Sequence, residues 1–240
     1  MFSATGMQGF ELFSKVHIGT LLLFFAACGA LVYLRNKRKI YQQMIKWTLF
    51  ILLPACEISL QVWLILTNQW NVSNLPLQLC SISTFLAVFL FLKKSNHLFY
   101  LLYFFGTLPP ILAMVSPEIA YTFPHFRYIE YCLHHSVIAL AAFYFILYEG
   151  YRVPRNAILF SFFTVNIIAV PIFFLNLQLG TNFFYLASPT EAKTILTFFG
   201  SGIMYYIYLE IAALIVFFIT YLPMGVLQRI ENRNKIDNGI

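Results

Sequence analysis

The sequence predicts an all-α membrane protein, one transmembrane domain spanning residues 1–240 and built as a bundle of about seven helices, and three observations carry that reading. The first is composition: of 240 residues, 60% are hydrophobic, 19% aromatic and only 10% charged. With a mean hydropathy of +0.77, that balance suits a lipid solvent and not a water-facing surface. The second is segmentation into seven apolar runs, at 16–34, 45–67, 75–92, 97–115, 128–148, 157–179 and 203–224. Each can cross ~30 Å of hydrocarbon at ~1.5 Å per residue. The third is the placement of Lys and Arg, which fall between the runs and favour alternate sides.

The run at 16–34 has no basic stretch before it and carries Arg35, Lys37, Arg38 and Lys39 after it, the reverse of a secretory signal, so it is expected to remain as a span. The run at 45–67 contains Pro54, Glu57 and Gln61, and 75–92 opens on Leu75-Pro76-Leu77-Gln78-Leu79-Cys80-Ser81. Pro109 and Pro110 interrupt 97–115, and Pro171 interrupts 157–179. Membrane helices accept such prolines as kinks where neighbours satisfy the freed carbonyls. The run at 128–148 carries Cys132, His134 and His135. The connection at 180–202, with Asn182-Phe183-Phe184-Tyr185-Leu186, reads as a loop, an interfacial helix or a re-entrant segment. The last run holds Glu210 and Pro223.

With the N-terminus outside, twelve basic residues (Arg35, Lys37, Arg38, Lys39, Lys46, Lys93, Lys94, Arg152, Arg155, Arg229, Arg233, Lys235) face the cytoplasm, against Lys15, Arg127 and Lys193 outside. This excess orients the chain with a cytoplasmic C-terminus, as a multi-pass protein of the cell membrane. The formal charge of +6 therefore reports topology and not a nucleic-acid partner. All four cysteines (Cys28, Cys56, Cys80, Cys132) lie inside apolar runs, where a secreted disulfide framework is not expected and packing is the default role.

Ionisable groups within spans are costly and mark candidate sites. Counted from the outer helix ends, Cys80 lies about 8 Å deep, His135 and Glu210 about 10 Å and Glu57 about 15 Å, with His17 near the rim. Gln61 and Gln78 share that outer half, so a wet pocket opening outward is expected. Hydrogen bonding between helices is the competing role for each member, and Glu57 with Gln61, four apart, fits it well. A thiolate is a strong nucleophile and a nearby imidazole can shuttle its proton, which makes Cys80 with His135, or with His134 in reserve, the catalytic candidates. His135 shares its helix face with Tyr131, Ala139 and Ala142, whereas His134 follows Glu130 by four residues. A zinc-dependent hydrolase built from His17, a paired histidine, Glu57, Glu210 or Cys80 is a further alternative, although no His-x-x-x-His spacing is present. No metal site and no cofactor are expected. A transporter, or a receptor for a lipid or small molecule, would use the same pocket without catalysis.

At these residues the sequence resembles the YwaF-like bacterial integral membrane proteins, related to the animal transmembrane protein 164 acyltransferases. The likeness rests on Phe10-Glu11-Leu12-Phe13-Ser14 with His17, on Leu75-Pro76-Leu77-Gln78-Leu79-Cys80-Ser81-Ile82-Ser83, and on Phe126-Arg127-Tyr128-Ile129-Glu130 leading to His135. Thr181-Asn182-Phe183-Phe184-Tyr185-Leu186, Tyr208-Leu209-Glu210 and Tyr221-Leu222-Pro223 extend it. The resemblance implies a Cys nucleophile and a His partner moving a fatty acyl chain between phospholipids, roles that fall on Cys80 and His135. It is also similar to the androgen-induced membrane hydrolases, which use Thr and His, so hydrolysis stands close to transfer. Membrane phospholipids or lysophospholipids are then the expected partners, with His17, Glu57, Gln61, Gln78, Asn182 and Glu210 as pocket or supporting residues.

Overall fold

The computed structural model describes residues 2–3, 9–188 and 198–237. Eight α-helices follow in order: α1 (Lys15–Leu34), α2 (Lys39–Leu66), α3 (Leu79–Leu92), α4 (Asn96–Gly106), α5 (Leu108–Val115), α6 (Phe126–Leu147), α7 (Ala157–Leu179) and α8 (Ile203–Asp237). Short 3₁₀ turns lie at Val72–Asn74 and Phe183–Tyr185, and no strand occurs among the described residues. Among the described residues seven elements are long and apolar enough to cross a membrane, with α4 and α5 together making one of them.

The boundaries differ from the apolar runs where polar chemistry or proline intervenes. α2 begins at Lys39, six residues ahead of the apolar run, because a helix can continue into the polar interface on its own hydrogen bonds. α8 does the same at its far end: 35 residues give about 52 Å, well beyond the hydrocarbon thickness. Its charged tail is tied back by the Arg152–Glu231 ion pair and by Gln228 Nε2 donating to the Val153 carbonyl at 3.0 Å. α4 stops at Gly106 because Pro109 and Pro110 lack the N–H groups that the carbonyls of Phe105 and Gly106 would need, and their rings clash with that turn. Thr107, at φ −105° and ψ −84°, makes the break. Its Oγ1 donates to the Tyr103 carbonyl at 2.5 Å.

α3 is the most consequential correction. The apolar run begins at 75, but Leu75 precedes Pro76, which disfavours helical backbone there, and Leu75 adopts φ −56° and ψ 143°. The helix starts only at Leu79 and has 14 residues, about 21 Å. Its N-terminus is therefore set back from the start of the apolar run, and Cys80 occupies its first turn rather than its second.

α6 is the central element, packed against α1, α2, α3, α4 and α5, while α7 packs on α4 and α8. The main core joins Val137, Ile138, Ala141, Ala142 and Phe145 of α6 to Leu53 of α2, Leu90 of α3, a run of α4 from Phe99 to Phe105, and Phe217 of α8. Gly106 permits the close approach of α4 to α6, since a Cβ there would lie 2.8 Å from Leu102 Cδ1 and 3.2 Å from Ile138 Cγ2. Hydrogen bonds gather the connections into two groups, one at each end of the bundle. At one end Lys94 pairs with Glu149, and Tyr148 donates to the Leu31 carbonyl. At the other, Gly9 N–H donates to the Ala120 carbonyl and Trp63 Nε1–H to the Phe2 carbonyl. The basic connections share the first end, as alternating spans require.

Candidate active site

A cavity of about 390 Å³ lies between α2, α3, α5 and α6 near the second of these ends, within the size range of small-molecule sites. Glu57 and Gln61 of α2 enter it one turn apart. Cys80 and Ser81 come from the first turn of α3, and Arg127, Glu130, Tyr131, His134 and His135 from α6. Gln78, Glu118 and Tyr185 close it from the connecting segments, and Leu60, Phe105, Pro109 and Ala113 supply apolar wall.

Cys80 is a free, half-buried thiol, and its place near the start of α3 sets it among backbone N–H groups that have no intrahelical acceptor. Gln78, just before the helix, accepts from Phe184 N–H through Oε1 at 3.2 Å. That fixes its carboxamide and leaves the NH₂ as the donor end. Cys28 is half-buried, Cys56 and Cys132 are buried, and none of the three lines the cavity.

The two adjacent histidines are held differently. His135 Nδ1 lies 2.8 Å from the Tyr131 carbonyl. A carbonyl only accepts, so Nδ1 carries the proton and the neutral ring presents Nε2 as its basic nitrogen. The Tyr131 ring, 4.2 Å centroid to centroid, packs on the imidazole, and the Tyr131 hydroxyl donates to the Ala113 carbonyl at 3.1 Å. His134 instead spends Nε2 on Thr84 Oγ1 at 2.7 Å, with Glu57 Oε2 at 3.8 Å, while Nδ1 faces Glu130 Oε1 at 3.7 Å. Glu130 is paired with Arg127 one turn towards the rim. Both histidines line the cavity, but only His135 keeps a ring nitrogen uncommitted to the wall.

Glu57 is buried, and its Oε2 has no hydrogen-bond partner. Its neighbour Gln61 stitches the cavity rim, donating to the Asn74 carbonyl at 2.8 Å and accepting from Trp70 Nε1–H at 2.9 Å. Glu57 and Glu130 approach opposite nitrogens of the same imidazole, so the three do not form one ligand set. Among the described residues no three His, Cys, Asp or Glu side chains converge on a point that could hold a metal.

Three residues expected in this pocket do not line it. His17 is buried between α1 and α5, where Nε2 donates to the Met114 carbonyl at 2.8 Å and Nδ1 accepts from Phe13 N–H at 3.0 Å. Glu210 turns to α7 and accepts from Asn166 Nδ2 at 3.1 Å. Asn182 braces its own loop, accepting from Ala187 N–H at 2.9 Å. All three sit on helix faces or loops directed elsewhere. The expectation for 180–202 is answered in part. Residues 181–188 form a compact loop against the cavity, and 189–197 lie outside the described residues.

That loop supplies one wall residue, Tyr185. Phe184 and Tyr185 both take left-handed backbone, φ 59° and φ 56°, which costs energy for non-glycine residues and persists only where neighbours enforce it. Asn176 Oδ1 accepts from Phe183 N–H at 2.9 Å, Gln78 accepts from Phe184 N–H, and Tyr205 donates to the Tyr185 carbonyl at 2.5 Å. The Tyr185 hydroxyl donates to Glu118. Burial first, and then the Glu118 carboxyl, push that phenol well above its ordinary pKa. Glu118, in a Ser-Pro-Glu connection, carried no signal in the sequence; Tyr185 lay within the Asn182-Phe183-Phe184-Tyr185 motif.

Seven spans long and apolar enough to cross a membrane, with a half-open cavity held between α2, α3, α5 and α6, define a multi-pass membrane protein. The family model of the TMEM164 family matches residues 12–221, and the chain belongs to that family. No curated protein and no solved structure matches it.

Proposed function

We propose that this chain is a membrane-embedded acyltransferase or acyl-ester hydrolase in which Cys80 is the nucleophile and His135 its base. The observation that carries the reading is that Cys80 and His135 line one cavity with His135 Nδ1 fixed on a carbonyl, so that Nε2 is the nitrogen able to take a proton. Nε2 removes the Cys80 proton as Sγ attacks the ester carbonyl. The oxyanion is met by first-turn N–H groups of α3 and by the Gln78 NH₂. As the tetrahedral adduct collapses, the ester C–O bond breaks and Nε2–H protonates the departing lysolipid oxygen, leaving a thioester on Cys80. The hydroxyl of a lysolipid acceptor, or water, then attacks the thioester. Nε2 accepts its proton and passes it to Sγ as the C–S bond breaks. Electrons and protons balance over the cycle with no cofactor.

With the basic end taken as cytoplasmic, the cavity opens towards the outer leaflet, and phospholipids or lysophospholipids are its substrates. The family match supports this reading through the acyl-transfer chemistry that the resemblance implies. A second reading, a carrier or receptor without catalysis, draws support from Glu57 Oε2, an unpartnered acceptor suited to a ligand's hydrogen-bond donor.

The test is acyl trapping. Protein in vesicles incubated with a reactive lipid ester should gain a hydroxylamine-labile adduct on Cys80 and none on Cys28, Cys56 or Cys132. Cys80→Ala should remove the adduct while leaving the unfolding profile unchanged. His135→Ala should slow its formation by roughly 10² to 10⁴, the usual scale of general-base help. An unlabelled Cys80 with tight lipid binding retained in Cys80→Ala, and lost in Glu57→Gln, would establish the non-catalytic reading instead.

A further inference from the structure

A second hollow, of about 280 Å³, opens on the other face of the α4–α5 break. Its wall is made by Ile111 of α5, Phe143 and Ile146 of α6, and Ile219, Met224 and Leu227 of α8. These positions belong to the half of α6 and α8 that runs to the basic end, away from the candidate active site. The break itself separates the two spaces: Phe105, Pro109 and Ala113 face the cavity, whereas Tyr103, Thr107 and Ile111 face the hollow.

The polar inventory of this wall is closed. Tyr103 donates its hydroxyl to the Thr220 carbonyl at 2.6 Å, Thr107 donates to the Tyr103 carbonyl at 2.5 Å, and Thr220 donates to the Val216 carbonyl at 2.7 Å. Every hydroxyl proton is spent inside the wall, so an occupant gains nothing from carrying a polar group here, and water entering the hollow would find few partners. Buried water needs two to four polar contacts, and apolar cavities lacking them stay dry or take up hydrocarbon.

Size then separates the candidate occupants. An apolar cavity of about 150 Å³ already admits benzene, so a hollow of about 280 Å³ has room for a run of methylenes. An α-helix, about 10 Å across with its side chains, would lie over the mouth of the hollow, whereas a single hydrocarbon chain is thin enough to enter it. The surrounding solvent within the spans is lipid, whose chains reach the hollow without crossing a polar layer.

We infer that the hollow between α4–α5, α6 and α8 is a binding site for one hydrocarbon chain of a membrane lipid, separate from the Cys80 cavity. It does not rest on the proposed catalysis, because nothing in its wall takes part in that chemistry. A chain seated there fills the gap that the α4–α5 break opens in the bundle.

The experiment uses the full chain in phosphatidylcholine vesicles carrying a phospholipid with a mid-chain diazirine, followed by photolysis and peptide mapping. Leu22 and Leu23 of α1, 63% and 72% exposed, report contact with bulk lipid. Peptides containing Ile111, Ile146 and Met224 should be labelled about tenfold more per residue than the α1 peptide, equivalent to about 1.4 kcal/mol of preference. Ile111→Trp should reduce that enrichment to the α1 level without changing the α1 labelling. If that variant does not yield a monodisperse protein, Ile219→Phe fills the same space from α8. Cys80→Ala should label like the wild type, which keeps this result independent of the acyl-transfer reading. Labelling equal to that of α1 in the wild type would overturn the proposal, as would cross-links from the hollow to peptides of a second copy or another protein.

Discussion

α6 and α7 are of nearly equal length, 22 and 23 residues, yet they sit in opposite surroundings. α6 is the least hydropathic of the seven spans and has twelve of its residues buried. α7 is the most hydropathic and buries four, Ala157, Ser161, Ile172 and Asn176. In a water-soluble protein the more apolar helix would occupy the core. Here the order is reversed, because lipid costs an apolar side chain nothing while polar groups must find partners inside the bundle. α6 accordingly carries Glu130, His134 and His135 inward, with Arg127 at the rim, together with three fully buried alanines, Ala139, Ala141 and Ala142. The small residues let five helices close around it, and that closure creates the low-exposure space in which the ionisable groups act on one another.

The contrast predicts which substitutions matter. The largest effect should come from filling the α6 contact surface. Ala139 packs with Phe24 of α1 and Met114 of α5, so Ala139→Phe must push two helices apart, at a cost of about 3 kcal/mol or more. A fall in the thermal midpoint in detergent, together with loss of monodispersity, is the expected readout. If Ala139→Phe were silent, α6 would not be the closed centre described here.

A smaller loss should follow Arg127→Ala. It strips Glu130, whose side chain is 3% exposed, of its counter-charge at a cost of about 2 kcal/mol, somewhat below a fully enclosed pair because Arg127 lies at the rim. Arg127→Ala with Glu130→Gln should recover most of that stability, since no orphaned carboxylate remains. Recovery absent in the double variant would assign the loss to packing of the arginine stem instead of charge.

The smallest effects belong to α7 and separate a buried side chain that holds the neighbouring loop from the helix's exposed face. Asn176→Ala removes the bonds to Thr181 and to both Phe183 backbone groups. It should loosen 181–186 by about 1 kcal/mol, seen as faster amide exchange there and beside Gln78. Ile167→Ala, at a position 72% exposed to lipid, should change the unfolding midpoint by no more than about 0.5 kcal/mol. Equal responses from the two would erase the distinction between the inner and outer faces of α7.

Much of this was legible in the chain itself. The number of spans follows from apolar runs separated by basic connections, because transfer of a helix into lipid depends on its own residues and hardly on its neighbours. The proline breaks were equally local. Pro109 and Pro110 end α4, and Pro76, by keeping Leu75 out of helical backbone, delays the start of α3 to Leu79. Cys80, Glu57, Gln61, Gln78 and the paired histidines, which their positions along the spans put at similar depth, line one cavity.

Depth, however, is one coordinate of three. Counting residues along a helix places a side chain along the membrane normal, but its direction around the axis depends on which neighbours that helix acquires. His17 and Glu210, expected in the same layer, face Met114 and Asn166 instead of the cavity. Glu118 and Tyr185 come from connections with no periodicity to read, and meet at the cavity only because 181–188 folds back over α3. The sequence by itself determined the spans, their alternation and the layer in which polar groups collect, since each is set by the transfer of single segments into lipid. Only the tertiary structure decided which of those groups share a wall and which ring nitrogen of His135 is left free, because both depend on packing between segments distant in the chain.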